Sequence, residues 1–128
     1  MIDPTIRDLA SKGKNFAALT VIPASCHPMT HIMWIDADDD HILVNTDLGR
    51  AKATAMNNDP RVTVAIWDAA NPYRYAEVRG RVVGTTTGEE AGAHIDALAM
   101  KYTGAAYSFG SRDTRIIYRI EPIRQRGL

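Results

Sequence analysis

Two basic side chains, Arg50 and Lys52, follow a predicted strand that ends at Asn45 and Thr46. The composition after Thr46 favours a helix, and a helix N-terminus attracts anions through its unpaired N–H groups and partial positive charge. Arginine adds a planar fork of donors that fits phosphate oxygens, and lysine adds a mobile point charge. These residue types therefore predict either a phosphate-binding pair or two solvated cations on a surface helix.

Two tyrosines, Tyr73 and Tyr75, form the second group of interest. They are two positions apart, so in an extended chain both project to one side and Arg74 projects to the other. Such a pair can line a flat ring system, seal the end of a barrel, or contact a second subunit. The residues alone leave these alternatives open.

Motifs of nucleophilic, acid–base and metal chemistry are absent from the sequence. It has no phosphate-loop pattern, no Gly-x-Gly-x-x-Gly after a strand and no Gly-x-Ser-x-Gly elbow. The four histidines do not fall at metal-ligand spacing with a carboxylate or thiolate, and the acidic run at 38–40 lacks the spacing of a calcium loop. We predict no catalytic side chain of the protein's own and no metal site.

Composition sets the general class of the protein. A chain of 128 residues with 45% apolar content is expected to form a single domain over residues 1–128. The 15 basic and 15 acidic residues balance, which argues against a nucleic-acid binder. The single cysteine, Cys26, excludes an internal disulfide. With no signal-like start and no apolar run of membrane-spanning length, we expect a cytoplasmic protein without a membrane span.

The elements that must position these residues are short. The pattern predicts strands over residues 16–22, 29–35, 41–46, 61–67, 75–83 and 115–121, the last stopped by Pro122, and the first three joined as a meander. It predicts helices over 3–11 and 47–58, and a third opened by a capping box at Thr87 and Glu90. Gly80 in mid-strand indicates a bulge or a close approach. The sum is a small, mainly antiparallel α+β barrel.

The order of these segments resembles a known family. Residues 43–46 lead to Gly49-Arg50-Ala51-Lys52, then to Asp59-Pro60-Arg61-Val62, and then to residues 71–75 and 77–81. This order is similar to that of the pyridoxamine-phosphate-oxidase-like split β-barrel superfamily, and most resembles its branch of F420-dependent flavin/deazaflavin oxidoreductases. The resemblance implies an α+β fold with a mainly antiparallel six-stranded split β-barrel and short flanking helices. It also implies a homodimer with two cofactor sites at the interface.

The resemblance further implies which residues bind the cofactor. They are Met29, His31, Asn45, Thr46, Arg50, Ala51, Lys52, Tyr73 and Tyr75. In the family pattern, Arg50 and Lys52 hold the cofactor phosphate, and the two tyrosines reach the cofactor from the partner chain. The chain departs from the family at 54–58, where members often carry several basic residues and this sequence has none.

The activity that the resemblance implies is oxidoreduction with coenzyme F420, a deazaflavin. A hydride would pass between the reduced cofactor and an unsaturated or quinone-like small molecule. The alternatives are an FMN-binding oxidoreductase of the same fold and a non-catalytic dimer that binds or carries the cofactor. Because such cofactors supply the hydride chemistry, the missing catalytic motifs agree with this prediction.

Overall fold

The computed structural model describes residues 1–127 and contains three helices and seven strands in that range. The helices are α1 (Pro4–Ser11), α2 (Ala51–Asn58) and α3 (Glu89–Thr103). The strands are β1 (Phe16–Val21), β2 (Met29–Trp34), β3 (Asp36–Ala37), β4 (Ile42–Asp47), β5 (Arg61–Asp68), β6 (Asn71–Thr87) and β7 (Arg115–Gly127). The predicted fold class is confirmed, with the two-residue β3 as one strand more than the six expected.

One curled antiparallel sheet holds all the strands of the described chain, in the order β2-β1-β5-β6-β7-β4-β3. Its two edge strands, β2 and β3, are separated in sequence only by Ile35, so the sheet must curl until its edges meet at one corner. Helix α3 closes this corner: Lys101 Nζ donates to the Ile35 carbonyl at 2.8 Å, and the Ile35 N–H donates to the Tyr102 hydroxyl at 3.2 Å. Ile35 is completely buried as a result.

The predicted meander of the first three strands is wrong. β1 pairs with β2, but β4 pairs with β3 and β7, so that Asn45 lies opposite Ile117. The reason is the corner at Ile35, which carries the chain from one edge of the sheet to the other before β4 begins. Short links show that strands follow one another closely in sequence, but they do not determine which strands pair.

Strand β7 extends beyond Pro122, where the sequence analysis expected it to end. Arg79 pairs with Arg124 and Gly80 pairs with Pro122, which leaves Ile123 as the additional residue of a bulge. Proline is tolerated at a bulge because it has no N–H group to contribute to the ladder. A Cβ atom on Gly80 would lie 2.5 Å from the carbonyl oxygen of Glu121, so the predicted bulge and close approach are both confirmed.

The structure contains the three predicted helices, but some of their boundaries differ from the prediction. Helix α1 begins after Asp3, whose carboxylate accepts a hydrogen bond from the Thr5 N–H at 2.9 Å. The predicted capping box of α3 is wrong, because Thr87 is the last residue of β6 and Gly88 is the N-cap. Helix α2 begins at Ala51 rather than at residue 47. Across residues 1–127, none of the helices has the length and apolar character needed to cross a membrane.

The main core lies inside the curled sheet. Inward-facing residues of β1, β4, β5, β6 and β7 fill it together with α1 and α2, among them Leu19, Val44, Ile66, Val78 and Tyr118. A second, smaller cluster lies under α3, where the predicted apolar stripe Ala91, Ile95, Leu98 and Tyr102 is buried as expected. The second cluster packs against Phe16, Trp34 and Tyr107, and it places α3 beside the end of β4.

Candidate functional site

A cleft of about 260 Å³ opens where β4 leads to α2. The side chains that line it are basic or polar on one side and apolar or aromatic on the other. They are Met33, Trp34, Asn45, Thr46, Arg50, Lys52, Ile95, Leu98, Tyr107, Phe109 and Arg115. The cleft therefore has a cationic half and an aromatic half within one chain.

Arg115 is the most buried charged residue of the cleft and is only 8% exposed. Its guanidinium donates to Asn45 Oδ1 at 2.9 Å, to the Tyr107 hydroxyl at 3.2 Å and to the Asn45 carbonyl at 3.4 Å. These acceptors are neutral, and no carboxylate of residues 1–127 forms an ion pair with it. Burial lowers the pKa of Arg115, and the nearby Tyr107 and Asp47 oppose this effect.

Lys52 and Arg50 add two further positive charges to the same cleft. Burial, and then the charges of Arg50 and Arg115, lower the pKa of the Lys52 ammonium. Neither Lys52 nor Arg50 has an ion-pair partner within the part of the chain that the structure describes. The charge of Asp47 acts on Arg50 and Arg115 without forming an ion pair with either. The three cations still repel one another, and a bound anion would relieve that repulsion.

The start of α2 adds backbone donors beside these cations. Arg50 is the N-cap in an extended conformation, and its side chain makes no capping hydrogen bond within residues 1–127. Its carbonyl accepts from the N–H groups of Ala53 and Thr54, at 3.1 and 3.2 Å. The N–H groups of Ala51 and Lys52 precede this first bond and have no intrahelical acceptor. An anion in the cleft could use them.

The carboxylate of Asp47, near the cleft, already accepts hydrogen bonds within the protein. Asp47 accepts from the Gly49 N–H at 3.0 Å and from the Thr114 hydroxyl at 2.8 Å. These hydrogen bonds, that from Gly49 first, and the nearby charges of Arg115 and Arg50 lower the pKa of the Asp47 carboxyl. Asp47 therefore fixes the turn from β4 to α2, and it attracts Arg50 and Arg115 without forming an ion pair with either.

The opposite side of the cleft is aromatic. The ring of Trp34 stacks on that of Tyr102, with centroids 5.1 Å apart and an interplanar angle of 3°. Phe109 meets Trp34 edge-on at 6.0 Å and Tyr107 edge-on at 5.9 Å, and it is 70% exposed. Aromatic side chains in these arrangements present flat apolar surface on which a ring system can pack.

The structure brings together four of the nine residues expected from the resemblance, namely Asn45, Thr46, Arg50 and Lys52. The other five lie outside the cleft of the single chain. Met29 and His31 are half-buried on β2, and Ala51 is exposed at the start of α2. Tyr73 and Tyr75 line a separate depression with Arg126 and Gly127.

Arg115 and the aromatic wall of Trp34, Tyr107 and Phe109 are absent from the sequence-based site. One signal for Arg115 exists in the sequence, since it directly precedes the apolar run Ile116-Ile117-Tyr118, but the pattern does not say what lies beside it. Its neighbour Asn45 is 70 positions away and becomes adjacent only through the pairing of β4 with β7. No group of three or more His, Cys, Asp or Glu in residues 1–127 is placed to hold a metal ion.

Comparison with protein families gives one match. The family model for pyridoxamine 5'-phosphate oxidase matches residues 2–125, which is nearly the whole chain. Comparison with curated proteins gives no significant match.

Several solved structures share the fold. A protein described as an F420 reductase superposes with a TM-score of 0.82 and 22% identity, over 98% of both chains. A conserved hypothetical protein from Mycobacterium tuberculosis gives 0.69 and 23%, over 98% of this chain and 82% of that one. General Stress Protein 26 from Bacillus anthracis gives 0.69 and 20%, over 94% and 86%. At these identities the similarity establishes the fold.

Proposed function

The chain belongs to the pyridoxamine 5'-phosphate oxidase family, and from this premise we propose that it is a cofactor-dependent oxidoreductase. We assign coenzyme F420 as the cofactor, with FMN as the alternative. A small unsaturated or quinone-like molecule would be the substrate. The observation that carries the proposal is the convergence of Arg50, Lys52 and Arg115 on one cleft without a carboxylate partner in the described chain.

The residues present fit the phosphate and the ring of such a cofactor. Arg115 and Lys52 would neutralise the phosphate in a partly buried setting, where charge pairing is strongest. Trp34 and Phe109 would shield the ring from water on one side. The cofactor supplies the hydride chemistry when bound, and the protein needs only to bind it, orient it and exclude water.

The choice between F420 and FMN rests on similarity. The structure described as an F420 reductase shares the fold along nearly the full length of both chains. The phosphate is common to both cofactors, so the cationic half of the cleft fits either one.

A second copy of the chain would complete the site. The cleft of about 260 Å³ is smaller than the roughly 300–1,000 Å³ of typical small-molecule pockets. Tyr73 is 90% exposed and Tyr75 is 56% exposed, so both are available to a partner. A homodimer in which these tyrosines cover the partner's cleft would supply the missing wall.

The experiment that tests the proposal is a fluorescence titration of the purified protein with F420 and with FMN. We expect one of them to bind, and we expect Lys52→Ala to weaken binding roughly 10- to 100-fold because it removes one charge-assisted contact. Lys14→Ala, which changes an exposed lysine outside the cleft, serves as the matched control. Absence of binding by both cofactors would refute the proposal.

Turnover distinguishes an enzyme from a carrier. The reduced cofactor is offered to the protein together with enones, quinones and nitroaromatic compounds, and its reoxidation is followed by absorbance. Tight binding with no reoxidation across these acceptors would replace the oxidoreductase with a non-catalytic cofactor-binding dimer.

A further inference from the structure

A continuous chain of polar side chains extends from the cleft to β3, beneath α3. Arg115 Nε donates to Asn45 Oδ1 at 2.9 Å. The Asn45 amide nitrogen lies 3.0 Å from His94 Nδ1 and 3.0 Å from the Ala91 carbonyl. His94 Nε2 in turn lies 2.9 Å from Asp36 Oδ2. Only the first two residues, Arg115 and Asn45, line the cleft.

The direction of every hydrogen bond in this chain follows from its first member. A guanidinium can only donate, so the oxygen of the Asn45 amide must face Arg115 and its NH₂ group must face His94. Nδ1 of His94 is therefore the acceptor, and the ring proton is on Nε2, where it is donated to Asp36. In the opposite amide orientation, an NH₂ group would face a guanidinium N–H and both donors would be left without an acceptor.

We propose that His94 and Asp36 are positioning residues for the anion-binding cleft. They act through Asn45, whose amide they hold in the one orientation that keeps the Arg115 guanidinium fixed toward the ligand. This inference rests on the proposed function in so far as the cleft binds an anionic group. The His94 side chain is 13% exposed and that of Asp36 is 27% exposed, so the chain is shielded enough from water to hold its orientation.

A double-mutant cycle with inorganic phosphate as the probe tests the inference on the full chain. His94→Leu and Arg115→Met are each expected to weaken phosphate binding roughly tenfold in calorimetric titration. Because His94 acts through Arg115, the double variant should bind no more weakly than Arg115→Met alone. If His94→Leu lowers the affinity by the same factor in both backgrounds, His94 supports only the fold and the inference is wrong.

Conservative rescue provides a second readout. Glutamine at position 94 offers one acceptor and one donor in a single amide, so His94→Gln should retain affinity to within about threefold of the parent. His27→Leu, which changes an exposed histidine in the turn before β2, is the control and should bind as the parent does. The ¹⁵N shifts of His94 should show a protonated Nε2 and an unprotonated Nδ1, and the reverse tautomer would overturn the assignment.

Asp36→Ala keeps the inference testable if His94→Leu fails to fold. It removes the last acceptor of the chain at a partly exposed position, and it should weaken phosphate binding several-fold with His94 intact. The proposal is contradicted if Asp36→Ala binds phosphate as tightly as the parent. It is also contradicted if His94→Gln binds no better than a folded His94→Leu variant. If the parent binds neither phosphate nor F420 nor FMN, the proposed function fails as well. If the parent binds phosphate but the effects of His94→Leu and Arg115→Met add in the double variant, the inference is refuted and the proposed function stands.

Discussion

Arg115 bears its charge at a position that a neutral side chain would occupy at lower cost. A buried guanidinium loses most of its hydration, and the neutral acceptors Asn45 and Tyr107 replace only part of it. A ligand that uses this charge would offset the cost of burying it. If the cleft binds as proposed, Arg115 exchanges folding stability for binding.

Arg115→Met should make this exchange measurable. Methionine fills much of the same volume without a buried charge, but it leaves Asn45 Oδ1 without its donor, so the ligand-free variant should stay within about 1–2 kcal/mol of the parent. The measurement is urea unfolding with and without phosphate. The parent should gain stability from phosphate and the variant should gain little. A variant strongly destabilised without phosphate would indicate that Arg115 is a structural residue.

Tyr102 determines a different property, the response to alkaline pH. Burial raises its pKa to about 12, compared with about 10 for an unfolded tyrosine. Below pH 10 the side chain is neutral in both states, so its contribution to stability is complete. Between about pH 10 and 12 only the unfolded state ionises, so this contribution is lost as pH rises.

Tyr102→Phe should remove that alkaline loss. The variant also lacks the hydroxyl that donates to the Asn15 carbonyl and accepts from the Ile35 N–H, so at neutral pH it should be less stable by about 1–2 kcal/mol. The free energy of unfolding is measured from pH 7 to 11 in both proteins, so that all other titrating groups cancel in the difference. A difference that does not shrink as pH rises above 10 would contradict the assignment.

For helix α2, too, we expect stability to be exchanged for the proposed binding. Its N-cap residue, Arg50, makes no capping hydrogen bond within the described chain, whereas Asp3 caps α1. Serine, threonine, aspartate and asparagine are the residues that stabilise this position. An arginine there leaves the first N–H groups of the helix open, and it adds a positive charge next to the positive end of the helix dipole.

Arg50→Ser should therefore have opposite effects on two measurements. Thermal unfolding should show a stability gain of about 0.5–1 kcal/mol, because the hydroxyl caps α2. Phosphate or cofactor affinity should fall several-fold, because one cation is lost and the serine hydroxyl can occupy one of the free N–H groups. Thr54→Ser, at an exposed position later in α2, is the control. Unchanged affinity in Arg50→Ser would remove the start of α2 from the site.

The elements also show what the sequence could predict and where it could not. Alternation and turn residues are local, so they identified α1 and six of the seven strands, and the bulge at Gly80. Asn45, Thr46, Arg50 and Lys52 line the same cleft because one short segment carries all of them. Arg115 and His94 reach that segment only through sheet pairing and helix packing, which depend on contacts between distant parts of the chain.

Across the whole molecule, several large apolar side chains are exposed and available to the proposed second subunit. Tyr73, Tyr75 and Ile123 are respectively 90%, 56% and 66% exposed. A subunit-mixing experiment tests whether the tyrosines complete the cleft of a second copy. One protein carries Lys52→Ala, the other carries Tyr73→Ala and Tyr75→Ala, and the two are refolded together.

The homodimer of either variant should bind cofactor weakly. The mixture should regain about a quarter of the normal sites, because half of the dimers are mixed and each mixed dimer has one complete cleft. Cofactor stoichiometry measures the gain, and light scattering measures the mass. A monomer in solution, or no gain on mixing, would rule out a shared site. Mixing two samples of the same variant provides the control.

The position of β7 in the sheet has a consequence for how the molecule is made. β7 follows every other strand in sequence, yet it lies between β6 and β4. Before it is added, the sheet exists only as two separate pieces, β2-β1-β5-β6 and β4-β3. During synthesis the barrel therefore cannot close, and Arg115 cannot reach Asn45, until the final strand has left the ribosome. We expect folding to be slow and cooperative, since its decisive contacts join distant parts of the chain.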